Sequence, residues 1–410
     1  MSDLIGFNTI LLVCLITLLI SLRWPDVSKI IIVALIFRIL IMLVGYYIIP
    51  LPDSGQDAVG FENLAWIWAQ NGFFNTLSNF PGINSFFYPW IIALIYSLFG
   101  RSLLMIQSIG LLFGIGSVFL GWLLAKKLWD YRSAKKAGWL LALFPPLALY
   151  SITPLREVYS SFFLLVAMIG VVNWTKNGGY KSIFLAVLGF IGATFFHGVL
   201  MIGGMIFFII VGFSSFFKSY KLLMAKRVSI QASLFIFLII TFFGIFYLNK
   251  INIPYIGTFD QSTNMGWLID NIKFRMKGDA SYPAWTIINS PVEFIYKGLA
   301  RVVFFLFSPF PWEIKELFHL FGLFDAFLYI ILIYLIFINR KVIWNDPALR
   351  IILIILLCYF FIFGLGTSNF GAGLRHRSKF AIELIILAAP LIPNLILYNN
   401  KKLRKYLSKF

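Results

Sequence analysis

Apolar segments recur along the whole chain and alternate with shorter polar ones, which is the pattern of a protein that crosses a membrane repeatedly. A helix needs roughly 20 apolar residues to cross the hydrocarbon core. The segments 30–49, 103–125, 228–248 and 318–338 are the clearest candidates, and shorter apolar segments lie between them. Together they predict an all-α polytopic membrane protein of about 11 transmembrane helices. The predicted spans are 4–22, 30–49, 103–125, 137–152, 158–175, 182–196, 199–217, 228–248, 318–338, 351–366 and 381–398.

The composition supports one integral membrane domain without a separate soluble domain. Mean hydropathy is +0.90, and 60% of the residues are apolar against 12% charged, far outside the range of soluble globular domains. The first span, 4–22, has no basic segment before it and no small-residue cleavage site after it. We therefore expect this segment to be retained and not removed as a signal peptide.

The distribution of charge predicts which side of the membrane each polar segment occupies. The segments that the spans place on one side hold 21 of the 34 Lys and Arg residues and only three acids. By the positive-inside rule that side is cytoplasmic, so the N-terminus lies outside and the C-terminus inside a plasma (inner) membrane. The net charge of +18 is thus a topology signal that attracts anionic membrane lipid, and it does not indicate a nucleic-acid partner. The basic segments are 23–29, 126–136, 176–181, 218–227, 340–350 and 401–409.

The long first loop is predicted to carry juxtamembrane helices outside the cytoplasm. Apolar residues recur at helical spacing over 61–74, and 86–99 is a short apolar segment with Tyr and Trp near its start, which favours the membrane interface. A crossing at 86–99 would move the basic segment 126–136 outside, so we predict that it is not a span. The three predicted external segments are 50–102, 251–317 and 366–380.

The first external segment also concentrates carboxylates. Residues 39–100 contain no Lys or Arg, yet they include Asp53, Asp57 and Glu62. A carboxylate at the water–lipid boundary is partly desolvated, which suits a general base or a metal ligand. The alternative interpretation is a solvated turn, because Asp53 to Asp57 is rich in turn-forming residues. We expect Glu62 to face water on the loop helix.

The third external segment is strongly basic on the side that the positive-inside rule disfavours. Its cations Arg375, His376, Arg377 and Lys379 are candidates for binding an anionic group, since arginine in particular donates two parallel hydrogen bonds to such a group. The alternative interpretation is a solvated loop whose charges compensate Glu383.

Four further polar positions stand out against apolar surroundings. Arg156 and Glu157 share the tight turn before the fifth predicted span, where they either pair with each other or contribute to a site. His197, at the outer end of a span, is a candidate for binding phosphate or moving a proton, and the alternative is a buried hydrogen-bonded residue. Arg38 lies inside a span, and we expect a structural role for it, through snorkelling or an ion pair with Asp325.

The spacing of residues in the first external segment resembles a known family. Asp57 is followed by Phe61, Ala65 and the pair Gly72-Phe73. This order is similar to the first-loop signature of the GT-C superfamily of membrane glycosyltransferases. In that signature an Asp, often followed by Glu, precedes an aromatic residue, an Ala and a Gly-aromatic pair.

The resemblance covers residues 30–250, with a looser echo at 373–379. It makes 1–29 an extra N-terminal span, while 318–410 holds the last spans. In this chain Asp57 is followed by Ala58 instead of a second acid, which leaves Asp53 as an alternative catalytic residue.

The resemblance implies a GT-C-like fold and an enzyme similar to protein mannosyltransferases and aminoarabinose transferases. Such an enzyme takes a sugar from a polyprenyl-phosphate donor and adds it to a glycan, lipid or protein acceptor. Asp57, or else Asp53, would be the catalytic base, and Asp57 comes first because the signature spacing counts from it. A divalent cation, Mg²⁺ or Mn²⁺, is the cofactor compatible with this oxygen chemistry. The candidate substrate- and phosphate-binding residues are Arg375, His376, Arg377, Lys379, Arg156, Glu157, Arg101 and His197, with Lys273, Arg275, Lys277 and Arg301 as further cations.

Two other functions fit a polytopic protein with these external segments. A polymerase or ligase of cell-surface polysaccharide would also carry external Arg and His residues. A transporter or flippase of a lipid-linked glycan would line a central path with charges at several depths. Only Arg38, Asp325 and Glu383 lie within the predicted spans, which favours an enzyme over a transporter.

Overall fold

The computed structural model describes residues 2–224, 266, 269–270, 280–290 and 292–393, and its elements are helical. Six of the described helices are long and apolar enough to cross a membrane, which confirms the prediction of a helical membrane protein. The predicted number of about eleven spans stays a prediction, because shorter apolar helices accompany these six and part of the chain lies outside the described residues. The predicted span 228–248, the cations Lys273, Arg275 and Lys277, and the basic tail 401–409 lie outside the described residues.

The described helices follow the predicted apolar segments closely. The six that could span are α1 (Ser2–Arg23), α2 (Pro25–Tyr47), α6 (Leu103–Leu128), α9 (Glu157–Asn177), α13 (Leu317–Ile338) and α15 (Pro347–Gly366). The others are α3 (Gln56–Ala69), α4 (Phe73–Ser78), α5 (Phe87–Phe99), α7 (Tyr131–Leu143), α8 (Pro145–Ile152), α10 (Tyr180–Phe196), α11 (Met201–Met224), α12 (Glu293–Phe307), α14 (Arg340–Asn345), α16 (Phe370–Ser378) and α17 (Ala381–Ala388).

The predicted span 137–152 is divided into α7 and α8. Proline cannot donate a backbone hydrogen bond, so Pro145 and Pro146 end one helix and begin another. The break leaves carbonyls at the end of α7 without helical partners. Arg38 of α2 supplies them: its Nη1 donates to the Ala142 carbonyl at 2.6 Å and its Nη2 to the Leu141 carbonyl at 3.1 Å. The structural role of Arg38 is therefore to donate hydrogen bonds to the carbonyls at the end of α7.

The alternative partner expected for Arg38 is wrong. Asp325 accepts from Arg377 instead, at 2.7 Å from Nε and 2.6 Å from Nη2. Arg377 also donates from Nη1 to the carbonyls of Leu306, at 3.0 Å, and Ser308, at 2.7 Å, at the end of α12. This fully buried arginine therefore joins three helices through one guanidinium.

Arg301 repeats the arrangement at another helix end. Its Nη2 donates to the carbonyls of Leu365 and Thr367, at 3.1 and 2.7 Å, where α15 ends. The same nitrogen lies 2.8 Å from Ser368 Oγ. Buried arginines thus satisfy the last carbonyls of α7, α12 and α15, where positive charge also suits the helix dipole.

The N-terminal helix is packed into the bundle. α1 lies against α2 and α6, and Gly6 leaves room for the Leu104 side chain. Tyr46 donates to Asp3 Oδ1 at 2.9 Å, and Ser102 Oγ donates to the Ser2 carbonyl at 2.8 Å. α1 therefore belongs to the same packed core as α2 and α6.

The first loop forms the helices α3, α4 and α5, as its apolar spacing predicts. The expectation that Glu62 faces water is wrong, because its side chain is buried between α3 and α5. Arg101 donates to both Glu62 oxygens, at 2.9 and 2.5 Å, and Tyr96 donates to Oε1 at 2.9 Å. These contacts fix the loop helices to the start of α6.

Arg38 gives a test of the capping arrangement. Replacing it by methionine keeps much of its volume but removes the donors to two buried carbonyls, which costs about 1–3 kcal/mol per unsatisfied group. We expect Arg38→Met to lower the thermal unfolding midpoint in detergent, followed by tryptophan fluorescence. The matched control is Ile36→Met, at an exposed position of the same helix. Equal midpoints for the two variants would contradict the capping role.

Candidate active site

A cavity of about 780 Å³ lies where the loop after α2 meets the ends of several helices. Titratable side chains from several elements line it. Its polar lining comprises Asp53, Asp57, Tyr150, Glu316, His319, Asn369 and Arg375. A concave site with a few convergent polar groups is the usual form of a ligand pocket, so both predicted catalytic carboxylates stand in a suitable place.

Asp53 is held in a specific conformation at the edge of this cavity. It follows Pro52 in a turn closed by the Ser54 amide, which donates to the Leu51 carbonyl at 3.2 Å. Its φ of 57° lies in the left-handed region, which Asp tolerates better than most residues but which still costs energy. Tyr150 then donates to Asp53 Oδ2 at 2.6 Å. The carboxylate is therefore positioned by backbone and side chain together.

The surroundings of Asp53 also change its acidity. Although the side chain is open to the cavity, the protein around it removes much of its hydration, and this burial raises the pKa of the carboxyl above its ordinary 3.8. The hydrogen bond from Tyr150 and the charge of Arg375 oppose the shift without cancelling it. A raised pKa is what a general base requires, because the carboxylate then holds a proton more readily.

Asp57 occupies the first turn of α3 and faces the basic segment of α16. Its Oδ2 lies 2.6 Å from Arg375 Nη1, and its side chain is 54% exposed. Behind Arg375 lies Glu157 at the start of α9, with Oε1 at 3.6 Å from the guanidinium Nε. Glu157 is only 2% exposed. Burial lowers the pKa of Arg375, but the carboxylates of Glu157 and Asp57 outweigh it and raise that pKa overall.

A second cation lies beneath this pair. Lys379 is fully buried, with its Nζ 3.2 Å from Glu157 Oε1 and 2.9 Å from His376 Nδ1. Burial lowers the pKa of Lys379 to about 7, while Glu157 partly opposes that shift. The His376 ring contacts the His197 ring, with centroids 5.2 Å apart. Glu157, Lys379, His376 and His197 thus form a buried layer that supports Arg375 from behind.

Two local features of the sequence place α8 and α16 at the cavity. Gly110 and Gly114 of α6 let α8 approach closely, since a Cβ at Gly110 would lie 2.7 Å from the Ser151 carbonyl oxygen. This contact sets the position of the neighbouring Tyr150. Asn369 caps α16 by accepting from the Ala372 amide at 2.7 Å.

The cavity lining also contains residues that were not predicted as site candidates from the sequence. His319 and Glu316 lie at the start of α13, and the His319 ring stands edge-on to Phe370 at 4.8 Å. The Lys315 amide donates to His319 Nδ1 at 3.1 Å, so in the neutral ring Nε2 carries the proton. Tyr150 was also missed. Its position in the last turn of an apolar segment, just before a predicted external turn, was the available signal.

Two predicted phosphate-binding residues are placed elsewhere. Arg377 points away from the cavity and is engaged with Asp325 and the end of α12. Arg101 pairs with Glu62 beside the loop helices. Arg156 adds positive charge around Glu157, whose ion pairs are formed with Arg375 and Lys379.

The cavity offers few groups for a metal ion. Among the described residues, no group of three or more His, Cys, Asp or Glu side chains is arranged to hold one. Mg²⁺ and Mn²⁺ also bind through one or two carboxylates together with substrate phosphates and water. Asp53, Asp57 and Glu316 are the carboxylates in the lining of the cavity, and any of them could serve in this second mode.

Comparison of this chain with protein-family models, curated proteins and solved structures gives no match. The functional interpretation therefore depends on the geometry of the cavity and on the residue pattern in the first loop.

The raised pKa of Asp53 predicts a pH dependence of stability. Between 3.8 and the raised pKa, the folded protein binds more protons at this site than the unfolded chain does, so this site's contribution to stability falls as pH rises through that interval. We expect Asp53→Asn to remove this pH-dependent part of the stability. Tyr150→Phe removes a hydrogen bond that favours the ionised carboxylate, so we expect it to raise the pKa of Asp53 further and to extend the pH-dependent interval to higher pH. Unfolding midpoints measured across pH in detergent would test this. Identical pH profiles for wild type and Asp53→Asn would contradict it.

Proposed function

We propose that this protein is an integral-membrane glycosyltransferase that moves a sugar from a polyprenyl-phosphate donor to a hydroxyl-bearing acceptor in this cavity. The observation that carries the proposal is the arrangement of Asp53, Asp57 and Arg375 in one cavity. Glycosyl transfer from a lipid phosphate needs a base for the acceptor and a cation for the leaving group. This site supplies both within one enclosure.

In the proposed reaction, an aspartate takes the proton of the acceptor and Arg375 binds the leaving phosphate. An acceptor hydroxyl oxygen attacks the anomeric carbon of the sugar, and its proton passes to Asp57 or Asp53. The bond from that carbon to the phosphate oxygen breaks, and its electron pair leaves with the polyprenyl phosphate. Arg375 holds the phosphate as its charge grows, with Glu157 and Lys379 keeping the guanidinium in position.

An apolar groove in the same helical bundle supports the lipid part of the proposal. It has a volume of about 320 Å³ and lies between α5, α6, α9 and α10. Its lining is aromatic and aliphatic, and it includes Tyr159, two residues after Glu157 on the same helix. A prenyl chain is wholly apolar, so it would gain from burial there while its phosphate reaches Arg375. The other lining residues are Phe87, Tyr88, Ile91, Ile92, Ile95, Ile106, Ile109, Phe113, Phe163, Gly192, Phe195 and Phe196.

Removal of the base tests the reaction directly. We expect Asp57→Asn or Asp53→Asn, whichever removes the base, to lower sugar transfer from a polyprenyl-phosphate sugar by about 10²- to 10⁴-fold, the usual contribution of a general base. The matched control is Asp26→Asn, the same chemical change in an exposed ion pair with Lys126 outside the cavity. The base assignment would be wrong if both cavity variants transferred sugar at the wild-type rate.

The product distribution from the same assay separates a transferase from a polymerase. A transferase adds one sugar per acceptor, whereas a polymerase gives a ladder of chain lengths. Mass spectrometry of the product would distinguish these outcomes.

The groove predicts a dependence on the length of the prenyl chain. Replacing Ile109 by tryptophan would fill part of the groove, and we expect it to raise KM for a long-chain donor by roughly three- to tenfold through lost apolar burial. A donor analogue with a short chain should be unaffected. Leu98→Trp, at an exposed position of α5, is the control. An equal effect on long and short donors would show that the groove does not hold the chain.

A further inference from the structure

The pairing of Asp57 with Arg375 has a consequence for how the site works. We propose that this ion pair is a donor-operated latch, in which the phosphate of the incoming lipid displaces Asp57 from Arg375 and so frees the Asp57 carboxylate to receive the acceptor's proton. The inference rests on the proposed function, and it adds an order to it: the donor binds before the base is available.

The two partners of the latch differ in how firmly they are held. Arg375 is 20% exposed and is backed by the buried Glu157, itself tied to Lys379. Asp57 is 54% exposed, and of the residues that the structure describes it has an ion pair with Arg375 alone. Exchange therefore takes place by movement of Asp57, while Arg375 remains where the phosphate needs it.

The chemistry of the partners favours the exchange. The pair is open to water on its Asp57 side, and an ion pair that water reaches contributes little net stability, because water and side-chain entropy offset its attraction. A phosphate group presents several oxygens to the same planar fork and is recognised well by arginine. The donor also brings its apolar chain, whose burial contributes to the exchange.

While the latch is closed, Asp57 Oδ2 is occupied by Arg375 Nη1 at 2.6 Å. The lone pair of Oδ2 that accepts from Arg375 cannot at the same time take the proton of an acceptor hydroxyl. Once the phosphate takes the guanidinium, the carboxylate lies next to the sugar that the same phosphate carries. Donor binding and preparation of the base are then one event.

The test measures binding, so that it does not depend on turnover. Polyprenyl phosphate without sugar is titrated against the full-length protein in detergent, and tryptophan fluorescence reports the affinity. We expect Asp57→Asn to bind about two- to fivefold more tightly than wild type, the factor associated with an exposed ion pair. Arg375→Met should bind roughly tenfold more weakly or worse, since it loses charge-assisted hydrogen bonds. Asp57→Ser repeats the first measurement with a different side chain.

Asp53→Asn is the matched control, because it removes a carboxylate from the same cavity without removing the partner of Arg375. Equal tightening by Asp53→Asn and Asp57→Asn would reveal a general charge effect and overturn the latch. If wild type binds, Arg375→Met does not, and Asp57→Asn binds no more tightly than wild type, the latch is wrong and the proposed function stands. If wild type does not bind the lipid phosphate at all, both proposals fail.

Discussion

Backbone carbonyls inside an apolar bundle must find hydrogen-bond donors. Three of the described helices, α7, α12 and α15, end where an arginine supplies these donors. In lipid or in a tightly packed interior there is no bulk water to donate a hydrogen bond to a carbonyl that lacks a helical partner. Arg38, Arg301 and Arg377 each direct guanidinium nitrogens at the last carbonyls of a neighbouring helix. Arginine suits this role because it has five donors in one rigid plane. The ends of α7, α12 and α15 are therefore stable inside the bundle.

The same requirement explains the layered charges of the candidate site. Lys379 is fully buried and Arg375 is 20% exposed, and Glu157 lies between them as the buried anion that offsets their desolvation. Arg38, Tyr150 and Glu157 also line one small internal cavity of about 20 Å³, a volume sufficient for about one water molecule. The capped end of α7 and the floor of the site are thus adjacent. Tyr150, which contacts Asp53, and Glu157, which contacts Arg375, therefore share one cavity with Arg38.

Much of this arrangement could be predicted from sequence, because hydrophobic period and loop charge are local signals. They predicted the helices of the first loop correctly. They also selected Asp53, Asp57 and Arg375, which the fold brings to one cavity although Arg375 is far from them in the chain. Other contacts depend on which side chains meet across the bundle, which no local pattern contains.

Glu62 shows this limit most clearly. Its side chain was expected to face water because residues 39–100 contain no cation. Its partner Arg101 is the residue directly after that cation-free segment. Tyr150 and His319 were missed for a related reason, since an aromatic or imidazole ring in an apolar segment is consistent with a core position. The division of 137–152 at Pro145 carried a local signal, but its stability depends on the distant Arg38.

The placement of charge separates the enzyme hypothesis from the transporter hypothesis. A transporter needs polar groups along a path at several depths, ready to meet a substrate. Here Arg38 is bound to the carbonyls of α7 and Asp325 to Arg377. Glu383, the third charge within the predicted spans, is buried among apolar side chains of α17. Of the described residues, the charged side chains that line the large cavity are Asp53, Asp57, Glu316 and Arg375, and they lie together there. Within the residues that the structure describes, this grouping of charges in one cavity favours the proposed enzyme over a transporter, which would need such groups along its path.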